Sequence, residues 1–377
     1  MITNRYYGRV RRPVQREGAE SYLLVTLISF AASVATTRLF LELTGYPQLG
    51  NEELHIAHVL WGGLLLFIAA LLPLIFANRW AYSMGALCAG LGVGLFIDEV
   101  GKFITQSNDY FYPAAAPLIY AIFLLTVLVY TQIRRSHRHS ARAELYRALD
   151  GLQEVLDHDL DPQERHALET RLRHVVENAD QPAMAKLAQE LLDFVCSKDL
   201  TLVPDVATFW EKIAAWTLSI EKRWISLRRL KGVVVGALIG LGVVQILSMV
   251  RLIWAALDPV YLERMLALLI AGGKVTSASA MAWFVGRMTL EGLVGLILIG
   301  AASFLVFGKE KLGIRLAYYG LLLSLTITNL LVFFFEQFST IITASVQFIL
   351  LLLVLRFRRR NLGAAEGGVK AEPREAG

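Results

Sequence analysis

Eight runs of apolar residues, each long enough to cross a bilayer, dominate this chain and limit its fold more than any other feature. They fall at roughly 22–43, 55–77, 80–104, 114–133, 232–256, 289–307, 313–336 and 338–356. A helix needs about 20 residues to cross ~30 Å of hydrocarbon, and in lipid every backbone polar group must be bonded within its own segment. Each run is therefore expected to be a transmembrane helix. With 55% hydrophobic residues, 18% charged residues and a mean hydropathy of +0.51, a soluble single-core domain is excluded. The first run is too long for the apolar core of a signal peptide and no small-residue cleavage site follows it, so it is expected to be retained. Cys88 and Cys196 supply no disulfide framework, no cysteine metal site and no CxxC pair.

Orientation follows from the basic residues. They flank the runs at 5–16, Arg79, Arg134-Arg135, Arg228-Arg229-Lys231, Lys309 to Arg315 and Arg356 to Arg360. With eight spans, all of these fall on one side, and loops 44–54 and 105–113 on the other side hold no Lys or Arg. The basic side is expected to be cytoplasmic, with both termini there and the chain in the inner membrane. The net charge of +5 comes mostly from these flanks, so it speaks of topology and not of nucleic acid. Segment 257–288, with Arg264, Lys274 and Arg287, reads as a longer outer loop that could hold a re-entrant piece. A ninth full span would put the basic C-terminus outside and is rejected.

The two halves read as repeats. Arg38-Leu-Phe-Leu parallels Arg251-Leu-Ile-Trp, Arg79-Trp-Ala-Tyr82 parallels Arg315-Leu-Ala-Tyr318, and Glu99 parallels Glu336, in the same order along the chain. Four spans per half give repeats of the same orientation, related by an axis along the membrane normal. The expected fold is all-α: a basic N-terminus (1–20), a four-helix half (21–134), a cytoplasmic helical insert (135–230), a second four-helix half (231–357) and a basic, polar tail (358–377), disordered from 362. In the insert, Asp161-Pro162 and Gln181-Pro182 look like helix starts, and 143–156, 163–176 and 183–195 show apolar residues at helical spacing. A helix from about 205, with Trp210, Trp216, Trp224 and several basic residues, is expected along the membrane surface. The insert offers a surface for a cytoplasmic protein partner, and the spans a surface for lipid.

Ionisable residues inside spans are costly and mark function by default. Here they gather at the outer ends of the first three spans. Arg38 and Glu42 are four apart on the first, His55 and His58 three apart on the second with Glu52 a turn earlier, and Asp98 and Lys102 four apart on the third beside Glu99. The following loop adds Asn108 and Asp109. Small residues (Gly62, Gly63, Ala86, Gly90, Gly94) allow the second and third spans to approach neighbours closely. One reading is a metal or proton site, in which His55, His58 and carboxylates from Glu52, Asp98 or Glu99 suit zinc, iron or manganese. The plainer reading is an ion-pair network of Arg38 with Glu99, Arg251 with Glu336 and Lys102 with Asp98. The second half lacks the set: Glu291 stands where His55 would be, and the Asp98 and Lys102 positions are not ionisable. Haem is disfavoured because both histidines lie on one helix, and no phosphate-binding loop or nucleophile motif is present.

The strings Leu54-His-Ile-Ala-His-Val-Leu-Trp-Gly-Gly63, Phe96-Ile-Asp-Glu-Val-Gly-Lys-Phe-Ile-Thr105 and Asn108-Asp-Tyr-Phe111 resemble a family of uncharacterised bacterial polytopic integral membrane proteins, over about residues 38–133. The resemblance implies a bacterial membrane location and no particular chemistry. Three functions remain open: a transporter-like protein whose outer-leaflet site binds a cation or protons, a metal-dependent membrane enzyme acting on a lipid or lipid-linked substrate, and a structural or regulatory scaffold.

Overall fold

The computed structural model describes residues 13–45, 57–135, 140–197, 200, 202–203, 227–271 and 278–369, except the side chains of 271, 278, 338–339 and 362–369. Among the described residues the chain is helical and holds no strand. The helices are α1 (Ala19–Thr44), α2 (His58–Ile75), α3 (Arg79–Asp98), the short α4 (Val100–Ile104), α5 (Ala115–Arg135), α6 (Ala141–Leu156), α7 (Pro162–Asn178), α8 (Pro182–Val195), α9 (Leu227–Leu257), α10 (Pro259–Ala271), α11 (Ala278–Val306), α12 (Glu310–Leu323), α13 (Asn329–Glu336) and α14 (Ile341–Val369). A π-helical turn, Ser324–Thr328, joins α12 to α13, so that Glu310–Glu336 is one rod. Eight helices among the described residues are long and apolar enough to cross a membrane: α1, α2, α3, α5, α9, α11, the α12–α13 rod and α14.

The chain divides into two compact units, one of Met1–Ile97 with Leu125–Lys212, the other of Asp98–Leu124 with Ile213–Gly377. In the first, α1 and α3 meet along a seam of small residues. A Cβ added at Gly90 would lie 1.9 Å from Ser29 Oγ and 2.3 Å from the Thr26 carbonyl oxygen, so only glycine fits. Thr26 Oγ1 donates to Ala86 O (3.1 Å) and Ser33 Oγ to Leu91 O (3.1 Å), which adds polar cross-links to a close van der Waals contact. The insert helices α6, α7 and α8 bury Leu145, Leu168, Leu172, Val175 and Val195 in a small core of their own. Side chains cap the starts of α6 and α7, and Pro182 opens α8. Ser140 Oγ accepts Ala143 N–H, and Asp161 and Glu164 form a reciprocal capping box ahead of Pro162.

The insert is tied to the basic ends of the spans in the same unit. Arg79 donates to Glu154 (2.6 Å), Asn78 to Asp157 (3.0 Å) and Arg16 to Asp150 (3.4 Å), while Arg171 grips Glu17 with two nitrogens. Gln15 Nε2 donates to Ile133 O (3.1 Å). The start of α1, the start of α3, the end of α5 and the insert therefore share one end of that unit.

In the second unit, α9 and α11 cross backbone to backbone: a Cβ at Gly295 would lie 2.6 Å from Gly242 O. Leu238, Leu298, Leu305, Leu321, Leu350 and Phe357 fill the core between α9, α11, α12 and α14. Lys231 pairs with Glu310 (2.7 Å), which also accepts from Asn361, so the basic ends of α9, α12 and α14 converge. At the other end of α13, Gln337 Nε2 donates to Phe111 O (2.9 Å).

Four features depart from the sequence reading. The sixth span starts near residue 278 and not 289, because Arg287 is neutralised inside it (below) and does not end the helix. Segment 259–271, expected as loop, is helix α10. The third span breaks at Glu99 instead of running to 104. The last helix continues to Val369, past 362, since extending a nucleated helix costs little per residue. The surface helix expected with Trp210, Trp216 and Trp224 lies outside the described residues.

Candidate functional site

The break after α3 builds an acidic centre. Glu99 sits at φ −89° and ψ 9°, and the helix restarts at Val100. Lys102 thereby folds back on Glu99, its Nζ 3.5 Å from Oε1 and its backbone N–H donating to Glu99 O (3.0 Å). Asp98 instead accepts the Tyr110 hydroxyl proton (2.7 Å). The Lys102–Glu99 pair was not among the pairings that the sequence suggested. Tyr110 reaches Asp98 because the following loop folds over Gly101, where a Cβ would lie 2.7 Å from Asp109 O. The loop holds itself with Asp109 N–H donating to Thr105 Oγ1 (2.8 Å) and Phe111 N–H to Asp109 Oδ1 (2.9 Å), and Asn108 takes φ 53° beside them. Asp98 is 0% and Glu99 2% exposed. Carboxylates withdrawn from water this far have to be held by partners such as the Lys102 ammonium and the Tyr110 hydroxyl, because an uncompensated buried charge costs several kcal/mol or more.

A second charged centre lies in the same unit. Arg287 of α11 donates from Nε to Glu291 (3.0 Å) and from Nη2 to Glu336 at the end of α13 (3.0 Å). Phe284 and Phe335 place their rings 5.8 and 5.9 Å from the guanidinium, and Leu269 and Met288 close the apolar surround. Arg287 Nη1 is buried with no hydrogen-bond partner. The expected partner of Glu336 was Arg251, which is exposed on α9; α11 packs beside α13, so its arginine takes the carboxylate. Sequence reading missed Arg287 because it fell in a segment taken as loop, although Glu291 four residues on was the available signal.

The third centre is uncharged and lies along the seventh span, at the π-helical turn. There the Asn329 N–H bonds Ser324 O, five residues back, so Leu325 O loses its usual helical donor. Tyr120 of α5 supplies the replacement through its hydroxyl (2.6 Å). Gln245 of α9 donates to Ser324 Oγ (3.1 Å), and Asn329 donates to Gln347 of α14 (2.8 Å) and to Tyr120 (3.5 Å). The Tyr120 ring stacks on Phe333 at 4.7 Å. No single residue here attracts notice in the sequence, because the π turn is a register change that apolar periodicity does not reveal.

The remaining predicted residues belong to the first unit. Arg38 is buried, His58 opens α2 and is half-buried, and Glu42, one turn nearer the end of α1 than Arg38, is exposed. His55 and Glu52 lie outside the described residues. Among the described residues no three His, Cys, Asp or Glu side chains group to hold a metal ion. Compared with family models, curated proteins and solved structures, the chain finds no match.

Proposed function

We propose that this chain is a transport protein of the bacterial inner membrane, in which the carboxylates at the end of the third span bind a cation or exchange protons. The observation that carries the reading is the burial of Asp98 and Glu99 at an interrupted membrane helix. Ionisable groups at a helix break inside a membrane protein are placed where their charge state can change with an ion. Both termini and the insert are cytoplasmic in this reading, which the convergence of basic ends within each unit supports. The insert then presents a surface to a cytoplasmic partner. The two halves are parallel repeats, supported by Glu99, just after α3, and Glu336, at the end of α13, each preceding a short helical piece, Val100–Ile104 and Gln337–Thr340.

Proteoliposomes on a solid-supported membrane test it. Jumps of pH and of sodium, potassium, manganese and zinc are applied in turn. At least one jump is expected to move charge, and Asp98→Asn and Glu99→Gln to abolish that current. Currents equal to those of empty liposomes in every jump contradict the reading.

A further inference from the structure

Helix α6 of the insert is fixed to the ends of the apolar helices along its length. Asp150, Glu154 and Asp157 recur at spacings of four and three, so they form one stripe. Asp150 holds Arg16, just ahead of α1, Glu154 holds Arg79, the first residue of α3, and Asp157 accepts from Asn78, in the turn between α2 and α3. Gln15, beside Arg16, donates to Ile133 O near the end of α5, which sets that end at the same level. The chain itself ties the start of α6. Ser140, its N-cap, follows Arg135, the last residue of α5, by five positions, a reach of at most about 18 Å. The 16 residues of α6 make a rod about 24 Å long. Standing upright on Asn78, that rod would lift Ser140 beyond this reach. Helix α6 therefore lies across the ends of the spans.

A helix in that position has three flanks to place. The carboxylates take the span ends, and Leu145 and Ala148 enter the core of the insert on the far side. The third flank lies about 90° round from the carboxylates at 3.6 residues per turn, and exposes Tyr146, Leu149 and Leu156 (55%, 44% and 78%). It sits at the level where Phe76 and Trp80 are also exposed, their rings paired at 5.0 Å, as aromatic residues are at a membrane–water boundary. On the same flank Arg142 places its guanidinium 5.3 Å from the Tyr146 ring. An apolar flank with a basic residue, level with the ends of spans, matches the region where headgroups meet acyl chains. We infer that α6 is an interfacial helix whose Tyr146, Leu149 and Leu156 enter the lipid boundary and hold the insert flat on the bilayer. This does not rest on the chain being a transporter.

Spin labels read the depth of that flank directly. The full-length protein with Cys88→Ser and Cys196→Ser receives Leu149→Cys, Leu156→Cys or, as a reference on α8, Lys186→Cys, whose native side chain is 80% exposed. Each is labelled and reconstituted into vesicles of phosphatidylethanolamine and phosphatidylglycerol. Power saturation then compares collisions with oxygen, which concentrates in lipid, and with a nickel chelate, which stays in water. The oxygen-to-nickel ratio at 149 and at 156 is expected to exceed that at 186 at least fivefold. A ratio at both positions equal to that at 186 overturns the inference. Labels shielded from both reagents also overturn it, since a protein surface and not lipid would then cover the flank.

Discussion

Arg287 shows how much depends on one side chain at the residue scale. It holds Glu291 and Glu336 in an apolar surround, and removing one partner of a buried ion pair leaves the other charge without compensation. Arg287→Met is expected to destabilise the protein by about 3–5 kcal/mol, and Arg287→Met with Glu291→Gln and Glu336→Gln to recover part of the loss. Thermal melts of the purified variants check both. Tyr120→Phe strips the donor from Leu325 O, which the π turn has released from the helix ladder, and is expected to cost about 1–3 kcal/mol. At this scale the acidic centre was legible, since Asp98, Glu99 and Lys102 stand out in an apolar run. The Lys102–Glu99 and Arg287–Glu336 pairings were not. The pairings follow the break at Glu99 and the approach of α11 to α13, and neither has a signature in residue spacing.

Elements were easier to read than contacts. Five of the spans sit close to their expected limits because apolar length is set by the bilayer; the third ends early at Asp98, the last runs on to Val369, and the sixth was cut short by the charge of Arg287. The insert helices begin at the two prolines because proline fits the first turn and the Asp161 carboxylate accepts from Gln163 and Glu164 N–H. Asp161→Ala is expected to cost about 1 kcal/mol, read as faster hydrogen exchange across α7. Burial pushes the Glu164 carboxyl up from its ordinary value, against the hydrogen bond from Asp161 N–H. The folded form then holds its proton to higher pH than the unfolded form. The stabilising contribution is full below the unfolded carboxylate range and is lost as pH rises through the raised value, and Glu164→Gln should flatten this small dependence. Close packing between spans gives a paired test. Gly90→Ala meets Ser29 and the Thr26 carbonyl and is expected to cost about 1–3 kcal/mol, whereas Gly63→Ala meets nothing within 4 Å and is expected to be neutral or slightly stabilising.

For the whole molecule, the proposed topology is a multi-pass protein with loop 105–113 outside the membrane and the insert in the cytoplasm. Two sites report on it. Cys196 is an exposed native thiol at the end of α8 in the insert, and Ser107 is exposed in the loop that carries Tyr110 to Asp98. Each can be made the sole thiol, since the chain has two cysteines: Cys88→Ser leaves Cys196, and Cys88→Ser with Cys196→Ser and Ser107→Cys leaves the loop site. Labelling of spheroplasts with a membrane-impermeant maleimide, before and after lysis, is the decisive measurement. The Ser107→Cys thiol is expected to react in intact spheroplasts and Cys196 only after lysis. Reaction of both from the same side would contradict the proposed topology.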